Sequence, residues 1–382
     1  MMKLPSINKV RNLQDKRVLV RLALNVPING RDIQDDFRLK KVLPTLKMLS
    51  KKGARTIVVS HLSKGESYLR PVVRWLNKHL PVGYLPDIDR NRTAVVVDKM
   101  KKGSIIVLEN LRHYPGEKKN DPKFAEQLAS FADIYVNEDF PVSHRKHASV
   151  VEVPKFLPSY VGPVFENEVK ELSKAFKPKK PFIVISGGAK FEAKLPLVKK
   201  FLPKADKVFI VGALANSFFK EMGYEVGKSL VDKKKLGLKA LAKKRKLVLP
   251  KDVIAVGPKG DTIKRPDEVK RNEKILGVGP ETVAEILEAI SDAKMILWNG
   301  PLGKFEGGYR KNTEKVAKAI ARADAHTIVG GGETLSAIQD LGLLKKYDFV
   351  STGGGAMLDF LADGTLPGIE AIQKSKKRLK TK

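Results

Sequence analysis

The stretch Phe182-Ile183-Val184-Ile185-Ser186-Gly187-Gly188-Ala189-Lys190 carries the fold in miniature. Its apolar, β-branched run is too short for a helix and closes on two glycines, which reads as a buried strand ending in a tight turn. The same grammar returns three times downstream. Lys294–Trp298 is followed by Asn299-Gly300-Pro301-Leu302-Gly303, and Thr327–Val329 by Gly330-Gly331-Gly332-Glu333-Thr334. Phe349–Ser351 leads into Thr352-Gly353-Gly354-Gly355-Ala356. A glycine turn that opens a helix lets an anion approach backbone N–H groups at the positive helix end. One such turn usually only connects two elements. Four of them in one half of the chain are expected to converge on one edge of one sheet and hold a nucleotide. No G-x-x-x-x-G-K-[ST] loop and no strand-linked G-x-G-x-x-G is present, so several loops would share the phosphates.

Further strand-like runs occur at Arg17–Leu24, Thr56–Ser60, Ser104–Leu108, Ile134–Val136 and Lys207–Val211. The intervening segments carry helical spacing: within Phe37–Lys52, Leu39, Val42, Leu43, Leu46 and Leu49 fall on one face. Such alternation implies parallel sheets covered by helices, with ligands at the carboxyl ends of the strands. The sequence breaks at Leu157-Pro158-Ser159-Tyr160-Val161-Gly162-Pro163, reads as a helix over Glu166–Phe176, and then passes through the stiff connector Lys177-Pro178-Lys179-Lys180-Pro181. The expected architecture is α/β, with two domains of similar size, each a three-layer αβα parallel sheet, joined by an interdomain helix and hinge. Residues 1–158 form the first domain, 159–180 the helix and connector, and 181–362 the second domain.

The first half places cationic and imidazole side chains at its strand ends. Arg21 and Asn25 follow the first strand, Arg38 opens the first helix, and His61 and Lys64 follow the second strand. Arg112 comes after Leu108-Glu109-Asn110-Leu111, and His144-Arg145-Lys146-His147 after the strand that ends at Asn137. Singly, such arginines pair with surface carboxylates. Together they make a basic pocket for a multiply charged anion, with guanidinium forks suited to carboxylate and phosphate. A phosphate donor on one domain and an anionic acceptor on the other implies hinge closure before transfer. Phosphoryl transfer to a carboxylate needs positioning and charge neutralisation, and no general base.

Composition bounds these readings. The chain has 382 residues, a formal net charge of +31 and no cysteine, which excludes disulfides, thiolate metal sites and cysteine nucleophiles. No apolar run approaches the ~18–20 residues of a membrane span, and the start Met1-Met2-Lys3-Leu4-Pro5-Ser6-Ile7-Asn8 lacks a signal-like apolar stretch, so a cytoplasmic protein is expected. The charge admits a nucleic-acid face, an anion site or a basic surface background. It is spread along the chain, and its one dense run, Lys374–Lys382, has no aromatic interleaving, which favours background over a dedicated nucleic-acid face.

Taken in order, these blocks resemble the phosphoglycerate kinase family over nearly the whole chain. They include Arg21-Leu22-Ala23-Leu24-Asn25-Val26-Pro27, Asp35-Asp36-Phe37-Arg38, Ser60-His61-Leu62, Leu108-Glu109-Asn110-Leu111-Arg112, Val136-Asn137-Glu138-Asp139-Phe140 and His144-Arg145-Lys146-His147-Ala148-Ser149. Gly187-Gly188-Ala189-Lys190, Trp298–Glu306, Gly330–Thr334 and Ser351–Ala356 complete the set. The resemblance implies reversible phosphoryl transfer between MgATP and the carboxylate of 3-phosphoglycerate, giving ADP and 1,3-bisphosphoglycerate. It implies phosphoglycerate contacts at Arg21, Asn25, Arg38, His61, Lys64, Arg112, His144, Arg145 and His147. Arg38, Lys190, Gly332 and Gly354 would stabilise the transferring phosphoryl. Gly188, Ala189, Lys190, Lys194, Gly212, Asn299, Pro301, Lys304, Glu306, Gly331, Gly332, Glu333 and Thr334 would hold the nucleotide, with Glu306 on the ribose and Glu333 linked to Mg2+. It also implies that residues 363–382 return onto the first domain. The partners expected are these small molecules, with no membrane, no specific nucleic acid, possible non-specific polyanion binding and a monomeric state.

This sequence departs from the family pattern in places. An aspartate that helps hold the substrate hydroxyl is Ala23 here; losing one such hydrogen bond costs ~1–3 kcal/mol, so weaker phosphoglycerate binding or a different acceptor follows. Lys64 stands for an arginine and loses its bidentate fork. Glu333 replaces the magnesium-linked aspartate and is one methylene longer. The adenine loop reads Val211-Gly212-Ala213-Leu214-Ala215-Asn216, which opens the base preference, and Pro141-Val142 replaces a Gly-Thr pair. Three readings stand on the sequence: an active phosphoglycerate kinase, a phosphotransferase of the same fold with another carboxylate acceptor, and a weakly active nucleic-acid-binding relative.

Overall fold

The structure, a computed structural model, describes residues 2–63, 68–189, 191–232 and 234–380, without the side chains of 306 and 376–380. The chain divides into two compact units: Met1–Lys170 with Thr365–Lys382, and Glu171–Gly364.

The first unit is built on a six-stranded parallel sheet. Its spatial order is Gly83–Leu85, Ile105–Leu108, Arg55–Val59, Arg17–Leu22, Ile134–Glu138 and Ser159–Val161. Arg17–Leu22 shows why the sheet is covered on both sides. Val18, Val20 and Leu22 pack into one core with Leu39, Val42 and Leu46 of the helix Phe37–Lys51, while Leu19 points into a second core with Phe124 and Leu128 of the helix Pro122–Ser130. Alternate side chains point to opposite faces, so an unbroken apolar run needs apolar cover on each.

The second unit carries its own six-stranded parallel sheet, in the order Leu247–Val248, Lys207–Ile210, Phe182–Ser186, Met295–Asn299, His326–Gly330 and Phe349–Val350. An antiparallel sheet of Gly260–Lys264, Val253–Gly257 and Lys274–Val278 adjoins it. In both main sheets the strand order reverses around the first strand of the unit. Arg17–Leu22 lies between Arg55–Val59 and Ile134–Glu138, and Phe182–Ser186 lies between Lys207–Ile210 and Met295–Asn299. Chains leave such a switch point in opposite directions and open a crevice at the carboxyl ends.

The long strands and the helix Phe37–Lys51 fall where their patterns place them. Two segments differ. Ser159–Val161, read as part of a connector, is a strand of the first sheet, and the following helix runs Pro163–Ser173 with a 3-10 turn over Lys174–Phe176. The dense terminal run, read from its charge as surface background, lies as far as Lys380 in the helix Pro367–Lys380. Ile369 and Ile372 of that helix are fully buried, Gly368 N donates to Ser143 O at 2.9 Å, and Ser375 Oγ donates to Leu157 O at 2.9 Å. Its apolar residues anchor a segment whose charge alone gave no sign of packing.

Candidate active site

At the switch point of the first unit, Arg21 pairs in register with Asn137 across adjacent strands. Its side chain is fully buried. Nη1 donates to Asp139 Oδ2 at 2.6 Å and to Leu22 O at 3.1 Å, Nε donates to Ser149 Oγ at 3.0 Å, and Nη2 lies 2.6 Å from His61 Nδ1. The guanidinium expected to grip a ligand is thus engaged by the protein's own groups. Burying such a pair is tolerable only with full hydrogen bonding, which this set supplies.

Around it the other candidates gather. Arg112 Nη1 donates to Leu62 O and Ser63 O at 3.3 and 3.2 Å. Arg145 is exposed, with Nε 3.4 Å from His144 Nε2. Arg38 Nη1 donates to Asn25 O at 3.0 Å, and Asn25 itself is tied to Ser63, accepting the Ser63 N–H at 2.9 Å. Burial and the nearby Arg21, Arg112 and Arg145 push the His61 pKa far down. Burial and the same three arginines lower His147 to about 4, with His144 adding to the effect. Burial, Arg145 and Arg21 also lower Arg112. Burial is the largest cause of each shift, and the crowding of cations adds to it. The buried carboxylates beside them are Asp139 and Glu117. Glu117 accepts Ser149 N–H at 2.9 Å and the Ser149 hydroxyl at 2.7 Å. Ala23 is buried beside this cluster, and Lys64 lies outside the described residues.

In the second unit the glycine loops meet along the carboxyl edge. Gly187 N donates to Asn299 O at 2.9 Å and Gly188 N to Pro301 O at 3.0 Å. Gly300 has φ +98°, and a Cβ there would sit 2.1 Å from Gly187 O, so only glycine lets these backbones touch. Gly332 and Gly354 differ: a Cβ on either would meet nothing within 4 Å. Gly332 opens the helix Gly332–Asp340, and Gly354 caps Gly355–Asp363. Gly212 and Gly331 cap the helices Ala213–Met222 and Gly332–Asp340. Several helix N-termini therefore share one edge, where amides and dipoles favour anions.

A Cβ on Gly188 would lie 3.3 Å from Lys194 Nζ and 3.7 Å from Glu333 Oε2, so ammonium and carboxylate flank that loop. Lys194 is buried and donates to Gly187 O. Thr334 is fully buried, its hydroxyl accepting Gly300 N–H at 2.9 Å. Asn299 is nearly buried with its amide near Gly331. Ala189, Lys304 and Glu333 are exposed, and Lys304 N donates to Leu276 O of the small sheet at 2.7 Å. Glu306 lies in the 3-10 turn Phe305–Gly307; its side chain and the whole of Lys190 fall outside the description.

Arg21, Lys194 and Thr334, expected to meet ligand, all have protein partners here. Three residues that the strand-end reading passed over, Asp139, Ser149 and Glu117, hold the first cluster in place. Asp139 and Ser149 stood in the quoted family blocks without a site role of their own, and Glu117 carried no signal.

Amide-lined glycine loops at one switch point and a guanidinium cluster at the other define an α/β phosphotransferase. A family model described as phosphoglycerate kinase matches residues 7–364. The phosphoglycerate kinase of Dictyoglomus turgidum is 41% identical over 382 residues, covering 95% of this chain and 96% of that one. That of Moorella thermoacetica is 40% identical over 380 residues, with 94% and 97% coverage. Among solved structures, the phosphoglycerate kinase of Coxiella burnetii matches with a TM-score of 0.83 at 35% identity, covering 97% of this chain and 99% of the other. The chain belongs to the phosphoglycerate kinase family. Its reaction is phosphoryl transfer between ATP and the carboxylate of 3-phosphoglycerate.

Proposed function

We propose that the first unit holds the phosphoglycerate and the second the nucleotide. The observation that carries this reading is the crowding of Arg21, Arg112, Arg145 and His147 around the buried His61, where burial and the neighbouring cations lower His61, Arg112 and His147 together. In this reading Arg112, Arg145 and Lys64 neutralise the substrate phosphate, Asn25 and His61 orient it, and His144 and His147 complete the rim. Arg38 faces the acceptor carboxylate. Gly188, Ala189, Gly212, Gly331 and Lys194 line the nucleotide phosphates. Asn299, Pro301, Lys304 and Glu306 flank the nucleoside. Lys190 with the amides of Gly332 and Gly354 stabilises the phosphoryl in flight, and Thr334 fixes the Gly300 turn. Transfer requires the ligands to meet, so the cycle includes a movement that joins the half-sites.

Mg2+ suits the donor set. Magnesium keeps several waters and binds through one or two carboxylates plus substrate phosphates, and the exposed Glu333 is a carboxylate beside open amides. Bound there, the ion would neutralise charge between the β- and γ-phosphates. Among the described residues no helix is long and apolar enough to cross a membrane. A cytoplasmic monomer acting on small molecules is the working assignment.

The test is a coupled assay with 3-phosphoglycerate and MgATP, with MgGTP in parallel. Turnover that depends on both substrates is expected. In Arg38→Ala, kcat should fall about 10²–10³-fold, the usual loss on removing one group that stabilises transition-state charge. Ala23→Asp should lower KM for 3-phosphoglycerate. An Arg38→Ala enzyme with wild-type kcat would remove Arg38 from the transferring group.

A further inference from the structure

The contact between Arg21 and His61 fixes more than position. A guanidinium has N–H groups only and accepts no hydrogen bond. Arg21 Nη2, 2.6 Å from His61 Nδ1, therefore donates, and Nδ1 accepts. The imidazole proton is left on Nε2. Asp139 does not compete for Nδ1: its Oδ2 lies 3.9 Å away, beyond hydrogen-bond reach, and takes Arg21 Nη1 at 2.6 Å instead. Arg21 is held from further sides by Leu22 O and by Ser149 Oγ, which itself donates a hydrogen bond to Glu117 Oε1 at 2.7 Å. Donation thus runs outward from Arg21 on both sides, through Ser149 to Glu117 and directly to His61.

We propose that Arg21 and Asp139 are positioning residues that lock His61 as the Nε2–H tautomer, so that the acceptor anion meets a neutral donor of fixed orientation. The proposal rests on the placement of His61 at the phosphoglycerate site. The groups facing His61 are Arg21 from its strand, Asp139 after the strand Ile134–Glu138, Arg112 from the 3-10 turn Leu111–His113, and Arg145 and His147 from the loop before Ala148. Asp139 is the one anion among them, and its carboxylate is taken by Arg21. Burial and the surrounding arginines then oppose formation of an imidazolium. A neutral N–H takes up no proton when the anion arrives, so the arginines alone carry the change in charge. Asp139 offsets the buried charge of Arg21 and keeps its fork aimed at Nδ1.

The test uses the full-length chain with imidazole nitrogens labelled, read by 15N NMR, alongside steady-state kinetics. In the wild type, His61 Nδ1 should show the unprotonated signature and Nε2 the protonated one, without titration between about pH 5.5 and 8, the range where a free histidine changes charge. Asp139→Asn should mix the tautomers and raise KM for 3-phosphoglycerate roughly tenfold, the worth of one oriented hydrogen bond, with kcat unchanged. A protonated Nδ1, or a His61 titration inside that range, overturns the proposal on the wild type alone, even if the variant fails to fold. Unchanged tautomers in Asp139→Asn overturn it while leaving His61 at the acceptor site. Mixed tautomers with an unchanged KM overturn it together with that placement.

Discussion

A guanidinium without exposed surface and an exposed one from a distant loop respond differently to replacement, and Arg21 and Arg145 supply that pair. Arg21→Lys keeps the charge, yet one ammonium cannot reach Ser149 Oγ, Leu22 O, Asp139 and His61 together. Each polar group left unmatched in the core costs ~1–3 kcal/mol, and denaturant unfolding should show a loss of that size or greater. Arg145→Ala should leave unfolding within ~0.5 kcal/mol, as surface changes do, while raising KM for 3-phosphoglycerate. If both variants lost the same stability, the division between a residue that builds the site and one that faces the ligand would fail. Nothing in the residue type separates the two in the sequence, where both appear as arginines at strand ends. Burial decides their roles, and burial comes from contacts between residues 118 and 128 positions apart.

At the level of elements, Glu138 ends a central strand and reaches the start of a helix. Its carboxylate accepts Val164 N–H at 3.1 Å, Phe165 N–H at 3.0 Å and the Thr45 hydroxyl, clasping the first turn of Pro163–Ser173. A methyl on Gly162 would sit 2.2 Å from Glu138 Oε2, so the approach requires glycine. Burial raises the carboxyl to about 7 against the opposing pull of those donors. The folded state therefore holds a proton that the unfolded chain has released between about pH 4.5 and 7, so this group's contribution to stability falls as pH rises through that window. At about 1.4 kcal/mol per unit the swing is roughly 3 kcal/mol. Glu138→Gln should remove it, gaining on the wild type between pH 5 and pH 8 in paired unfolding curves; parallel curves would refute the assignment. His147 acts in the opposite sense, since its lowered pKa makes the fold lose stability as pH drops below the ordinary histidine range.

The glycine loops offer a second contrast. Gly300→Ala forces a Cβ against Gly187 O at positive φ and should lower the melting temperature sharply. Gly332→Ala meets open space at ordinary φ and should leave it unchanged or raised, because Ala is favoured over Gly in a helix by roughly 0.5–1 kcal/mol. Its effect should appear in kcat. Both glycines were legible as strand-end turns, and their difference was not, because it depends on which loop lies opposite. The long strands were legible for a related reason: burial on both faces leaves an unbroken apolar run. Gly83–Leu85, Ser159–Val161 and Leu247–Val248 are too short to show a period. Gly260–Lys264 is exposed along most of its length and carries no apolar alternation.

For the whole molecule, the charge of +31 separates into a local part and a spread part. Arg21, Arg38, Arg112 and Arg145 are proposed to serve the phosphoglycerate. Much of the remainder is spread along the sequence, with a dense run in the last helix. Removing residues 376–382 should lower the salt concentration at which the chain elutes from a polyanion column, while its melting temperature holds. Removing 367–382 also takes away Ile369 and Ile372, each worth about 1.5–3 kcal/mol when fully buried. That truncation should melt the first unit early. Equal melting of the two truncations would mean that the helix contributes charge alone.

The return of Thr365–Lys382 to the first unit has a consequence for synthesis. Domains usually mature in the order in which the ribosome releases them. Here most of the first unit emerges first but lacks its closing helix until Glu171–Gly364, which is contiguous, has been made. Of the two units, the one that starts first is therefore finished second. A nascent chain arrested before residue 365 should present a protease-resistant second unit beside a first unit that is still open to cleavage.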